Sequence, residues 1–154
     1  MEDIFDRAVA DDLIARIRRL TPDSQRLWGS MTVDQTLAHC NVPFDTLYDP
    51  AYTETTPRPN ALVRTVLRLV AKPVVVGPRP YKRNMRTAPS FVIEGPRDFE
   101  AERDKLVAYV DRVQREGAAA FDGRESHSFG PLTAPEWSTL FYKHTDHHLQ
   151  QFGV

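Results

Sequence analysis

Residues 133–154, TAPEWSTLFYKHTDHHLQQFGV, carry three of the chain's five histidines on what reads as one helix. Thr133 and Glu136 form a capping box, Pro135 fits the first turn, and Gly153 stands where a helix stops. At about 100° per residue, Trp137, Leu140, Phe141 and Phe152 share one face, and His144 and His148 fall near its middle. Two imidazoles one turn apart therefore point where a core should be. Side chains at i and i+4 lie side by side and neutral imidazole is the commonest transition-metal ligand, so the pair reads as part of a metal site needing a third ligand. The plainer alternatives are imidazolium groups favoured by the dipole at an exposed helix C-terminus, or satisfied core histidines. His147 points about 60° from the face centre and reads as a residue behind the ligands or at the surface.

Working outward, three more amphipathic stretches offer faces for that helix to pack on. Asp6 to Leu20 has Val9, Leu13, Ile17 and Leu20 at helical spacing, and Thr21, Pro22 and Asp23 break it. The link Gln25 to Ser30 contains Trp28, read as a core anchor, and Gly29. Thr32 with Gln35 makes a second capping box, and the helix it starts carries Val33, Leu37, Cys40, Phe44 and Leu47 on its apolar side. His39 lies about 120° from the centre of that stripe, placing it toward a neighbouring groove. Pro43, four residues on, removes the hydrogen bond that the His39 carbonyl would accept and should bend the helix. Asp98 caps Phe99 to Glu116, with Phe99, Leu106, Tyr109, Val110 and Val113 toward the core and Gly117 as its stop.

The remaining segments read less regularly. Asp49 to Asn60 is a proline- and threonine-rich loop. Ala61 to Ala71, with Leu62, Val63, Val66, Leu67, Leu69 and Val70, suits a short, largely buried helix that Pro73 ends. Val74 to Ile93 reads as extended and irregular, and its run Arg79, Lys82, Arg83, Asn84 and Arg86 is a solvated loop or an anion-binding lip over the metal. The link Ala118 to Leu132 holds His127, a surface histidine and reserve ligand. Four main helices plus a short one, long loops and no alternating strands predict an all-α, antiparallel four-helix bundle, in one domain over residues 1–154.

Composition narrows the function. A net charge of −1 offers no overall basic excess for nucleic acid. One cysteine, Cys40, excludes an internal disulfide framework, and a reducing, cytoplasmic setting is expected. The acidic start MEDIFDRAVADD resembles neither a signal peptide nor a membrane span, so no membrane partner is expected.

WGSMTVDQTLAHC at 28–40, YKRNMRTAPSFV at 81–92 and HSFGPLTAPEWSTLFYKHTDHHLQQFGV at 127–154 together resemble the DinB/YfiT-like superfamily. The likeness is greatest to a bacterial branch named only as a domain of unknown function. It implies a four-helix bundle with a three-histidine site for a divalent metal, zinc or nickel, placed here on His39, His144 and His148. It also implies metal-assisted chemistry on a small-molecule substrate with a low-molecular-weight thiol, and a homodimer, the usual soluble assembly. The alternative is a non-catalytic bundle that binds a ligand or metal.

The residues themselves limit the chemistry. A metalloprotease needs H-E-x-x-H, whereas Thr145 and Asp146 follow His144 and Asp146 projects away from the ligand face. Cys40 falls on the apolar stripe and reads as a buried, inert thiol. An open coordination position would mark an enzyme, and closure by His127 or His147 a structural site.

Overall fold

The computed structural model describes residues 2–85 and 88–154. Four long helices contribute to one hydrophobic core: α1 (Arg7–Arg19), α2 (Val33–Tyr48), α6 (Phe99–Glu116) and α7 (Ala134–Gln151). Between α2 and α6 lie three shorter helices, α3 (Pro50–Thr55), α4 (Ala61–Val70) and α5 (Lys72–Val75), and a 3₁₀ turn at Pro89–Phe91. A second 3₁₀ turn, Ala118–Ala120, and a two-stranded antiparallel hairpin, β1 (Glu125–Ser126) with β2 (Gly130–Pro131), precede α7.

Local chemistry sets the helix ends. The Asp6 side chain accepts from the Ala8 amide to start α1, and Asp98 accepts from Ala101 to start α6. Both predicted capping boxes form, Thr32 with Gln35 and Thr133 with Glu136, satisfying orphan amides at the starts of α2 and α7. Gly117 ends α6 with φ 75°, a conformation that a Cβ disfavours. Apolar side chains from each long helix then meet: Leu13 and Ile17 of α1, Leu37 and Phe44 of α2, Leu106 and Val110 of α6, Trp137 and Phe141 of α7. Phe141 is the hinge of this packing, stacked on Phe44 at 4.4 Å and on Trp137 at 5.2 Å.

Several sequence expectations change here. From Thr36 to Asp45 α2 is buried on every side, so a position off its apolar stripe is still interior and His39 is only 4% exposed. Residues 50–55 form a helix because Asp49 caps it and Pro50 opens it. Helix α4 ends at Val70, just ahead of Pro73 as expected, but the stretch read as extended begins with α5, which holds Pro73 in its first turn. The predicted burial of α4 is wrong: it has no buried residue, and Leu62, Leu69 and Val70 are 76%, 74% and 69% exposed. The four long helices complete the core without it, and α4 turns Arg64 inward to pair with Glu125 of the hairpin. Trp28 is half-buried instead of a core anchor, because its ring lies under the Arg83 guanidinium at 4.1 Å. Among the described residues no helix is long and apolar enough to cross a membrane.

Candidate metal centre

His39 from α2 meets His144 and His148 from α7 inside this packing. Each offers one ring nitrogen, and these lie within 4.8 Å of one another, all three residues buried. Ring centroids stand 4.7 to 4.9 Å apart. The i, i+4 spacing on α7 accounts for one pair, and the lateral packing of α2 on α7 supplies the third member.

Hydrogen bonds fix which nitrogen of two rings faces the cluster. The Phe91 carbonyl can only accept, so His39 Nδ1, 2.8 Å away, donates to it and a neutral ring keeps its lone pair on Nε2. On α7, Gln151 Nε2 donates to the Trp28 carbonyl at 2.7 Å, which turns Gln151 Oε1 toward His148 Nδ1 at 2.9 Å. His148 Nδ1 must then donate, leaving the lone pair on its Nε2. Two carbonyl oxygens thus set two tautomers, the arrangement by which ligating histidines are oriented in metal sites. His144 Nε2 lies 3.0 Å from His39 Nε2, and its buried Nδ1 has no hydrogen-bond partner among the described residues.

Burial keeps the imidazoles neutral. Desolvation lowers His39 despite the Phe91 bond, lowers His148 to about 3, and takes His144 well below its usual value, with mutual repulsion among the rings adding to it. Neutral imidazole is the ligating form.

Around the cluster, Tyr81 packs edge-on to His144 and His147, and Phe91 edge-on to His39 and His144. His147 lies outside the trio, half-buried between the Trp28, Tyr81 and His148 rings. His127 lies in the hairpin turn, where burial and the charges of Arg58 and Arg64 lower it, and it is not part of the trio. Lys82, Arg83 and Asn84 are exposed on the loop that follows Tyr81, and Arg86 lies outside the described residues. Asp146 faces away, paired with Arg16 at 2.8 Å and accepting from Gln150. Cys40 is buried, and desolvation pushes its thiol far above the usual range.

Sequence reading missed three contributors. Gln151 is three residues past His148 on the same face, a signal that periodicity alone could have shown. Lys143, buried beside His144, donates to the carbonyls of Val74, Gly77 and Arg79 at 2.8, 2.6 and 3.2 Å, tying the end of α5 and the residues after it to α7. The Phe91 carbonyl is a backbone group, invisible to side-chain motifs.

Three histidine nitrogens with no carboxylate among them make a donor set that could bind a metal ion. Comparison with known families gives one result: residues 5–153 match a family model described as "Protein of unknown function (DUF1569)". No curated protein and no solved structure matches the chain.

Proposed function

The chain belongs to the DUF1569 family, whose description assigns no activity, and we propose that it is a metal-dependent enzyme of the DinB/YfiT-like kind. In this reading the four long helices form an antiparallel bundle, and His39, His144 and His148 hold one divalent ion, zinc or nickel. The observation that carries the reading is the convergence of three buried imidazole nitrogens, with Nδ1 of His39 and of His148 each committed to an oxygen. A bound divalent ion would supply Lewis acidity that lowers the pKa of a water or thiol and holds it as a nucleophile.

The chain's own groups orient, exclude water and bind. Phe91 and Gln151 hold two ligand rings, while the Phe91 and Tyr81 rings lie against the cluster and keep bulk water from it. With Asp146 turned to Arg16, no carboxylate among the described residues stands beside the trio to act as a base, so a substrate that ionises on the metal fits better than a hydrolysis needing a separate base. The likeness to the DinB/YfiT-like superfamily makes that substrate a low-molecular-weight thiol, joined to an electrophile as in a transferase or isomerase. Lys82, Arg83 and Asn84, exposed on the loop that follows Tyr81, are the groups that receive an anionic substrate group; Arg86 of the same sequence run lies outside the described residues, and His147 and His127 stay outside the ligand set.

The test uses cobalt as a spectroscopic substitute. Cobalt-loaded protein titrated with small thiols develops a thiolate-to-cobalt charge-transfer band, absent in His148→Ala. Cobalt that binds without responding to any thiol would refute the thiol reading. A second reading, a non-catalytic metal-binding protein, draws on the low exposure of the trio, 4% to 9%, and takes that outcome as its support.

A further inference from the structure

Helix α4 presents its apolar face outward. Around it Leu62, Val66, Leu69 and Val70 fall within one sector of about 100° and all four are exposed, while Arg64 points to the hairpin and Glu125. Val63 and, in α5, Val74 extend the patch. Such a row exposed together marks a contact surface, because isolated surface leucines are ordinary but contiguous ones are not.

Charge identifies the occupant. Residues 55–93 contain eight of the chain's 20 lysines and arginines and none of its 21 aspartates and glutamates. That stretch is therefore +8, and the rest of the chain is −9. Two of the eight are spoken for by other segments, Arg64 by Glu125 and Lys72 by Glu136. Arg58, Arg68, Arg79 and Lys82 are exposed and have no ion pair among the described residues. A second copy of the chain seated on the same patch would bring +8 against +8. A stripe about 15 Å long and one helix wide also falls short of the roughly 800 Å² per partner that a stable dimer buries.

We propose that α4 and the basic stretch around it dock the protein on an anionic lipid surface, the leucine and valine side chains entering the headgroup boundary and the arginines contacting lipid phosphates. A short helix with basic residues and one exposed apolar face is the form that lies in a membrane interface. The acidic remainder is repelled by the same surface, so the two halves of the charge distribution fix one orientation. The expectation of no membrane partner rested on the lack of a spanning segment, and a helix lying on the surface needs none.

The experiment is co-sedimentation of the full chain at low salt with phosphatidylcholine vesicles and with vesicles that also contain phosphatidylglycerol. Binding is expected to the anionic vesicles only, and weakens as salt is added. Leu62→Ser with Leu69→Ser should weaken it by about tenfold or more, and Arg58→Gln with Arg68→Gln by about 25-fold, from roughly fivefold per charge. These positions are exposed, so the variants keep the wild-type circular dichroism and melting temperature. The proposal is overturned by no binding to anionic vesicles, by equal binding to both vesicle types, or by a dimer in light scattering that the leucine variant dissociates.

Discussion

Gln151→Leu isolates the wiring behind one ligand. Gln151 is 3% exposed and bridges the Trp28 carbonyl to His148 Nδ1 through bonds of 2.7 and 2.9 Å. Leucine has a similar volume but removes the partner of both groups, at a cost of about 1–3 kcal/mol for the buried His148 nitrogen and less for the part-buried Trp28 carbonyl. The carbonyl loss falls on stability of the apoprotein. The His148 loss would fall on metal affinity at the proposed site, because the ring could then turn or place its proton on the nitrogen that faces the cluster. Groups that orient ligating histidines contribute about 10–100-fold to metal affinity, or roughly 1.4–2.7 kcal/mol. Gln151→Glu separates the two effects, since a carboxylate still accepts from His148 but cannot donate to Trp28. Zinc affinity from chelator competition, measured beside the melting temperature of the apoprotein, should show Leu losing both and Glu losing mainly stability. Equal zinc affinity in wild type and Gln151→Leu, or equal losses in the two variants, would refute the reasoning.

Gly29→Ala should act on the same bridge from the other side: a Cβ there would collide with Gln151 Nε2 on a backbone at φ +83°, so both melting temperature and zinc affinity fall. Glu136→Ala should cost about 1 kcal/mol at neutral pH through loss of the α7 capping box and the Lys72 ion pair. Burial would raise the Glu136 carboxyl, but Lys72 and the Thr133 amide outweigh it and hold it below its usual value. Its contribution is therefore complete above the ordinary carboxyl range and disappears as pH falls through the lowered value, so melting curves of variant and wild type converge in acid. Cys40 should resist an aromatic disulfide reagent in the native protein and react once per chain in denaturant; rapid native labelling would show that the thiol is not shut in the core.

The helices and the histidine pair were legible because each rests on local chemistry. Capping boxes at Thr32 and Thr133, the Asp98 cap and the Gly117 stop are satisfied within a few residues, so spacing alone reveals them. His39 was harder. Its stripe angle placed it off the core, and only the burial of α2 on all sides makes that position interior. The error on α4 has the converse cause. Amphipathic periodicity states that a helix has an apolar face but not what covers it, so Leu62 and Leu69 read as core although they face outward. Trp28 and Gln151 meet across 123 residues of sequence, and no local pattern encodes a contact of that range.

The most direct test of the three-histidine site is elemental analysis of protein purified without a histidine tag, then loaded with zinc or nickel and desalted. His39→Ala and His148→Ala are carried in parallel, with circular dichroism to show that they stay helical. The account predicts about one ion per chain in the wild type, in keeping with one trio, and its loss in both variants. Wild-type protein that retains no ion after loading, or folded variants that retain as much as the wild type, would contradict it.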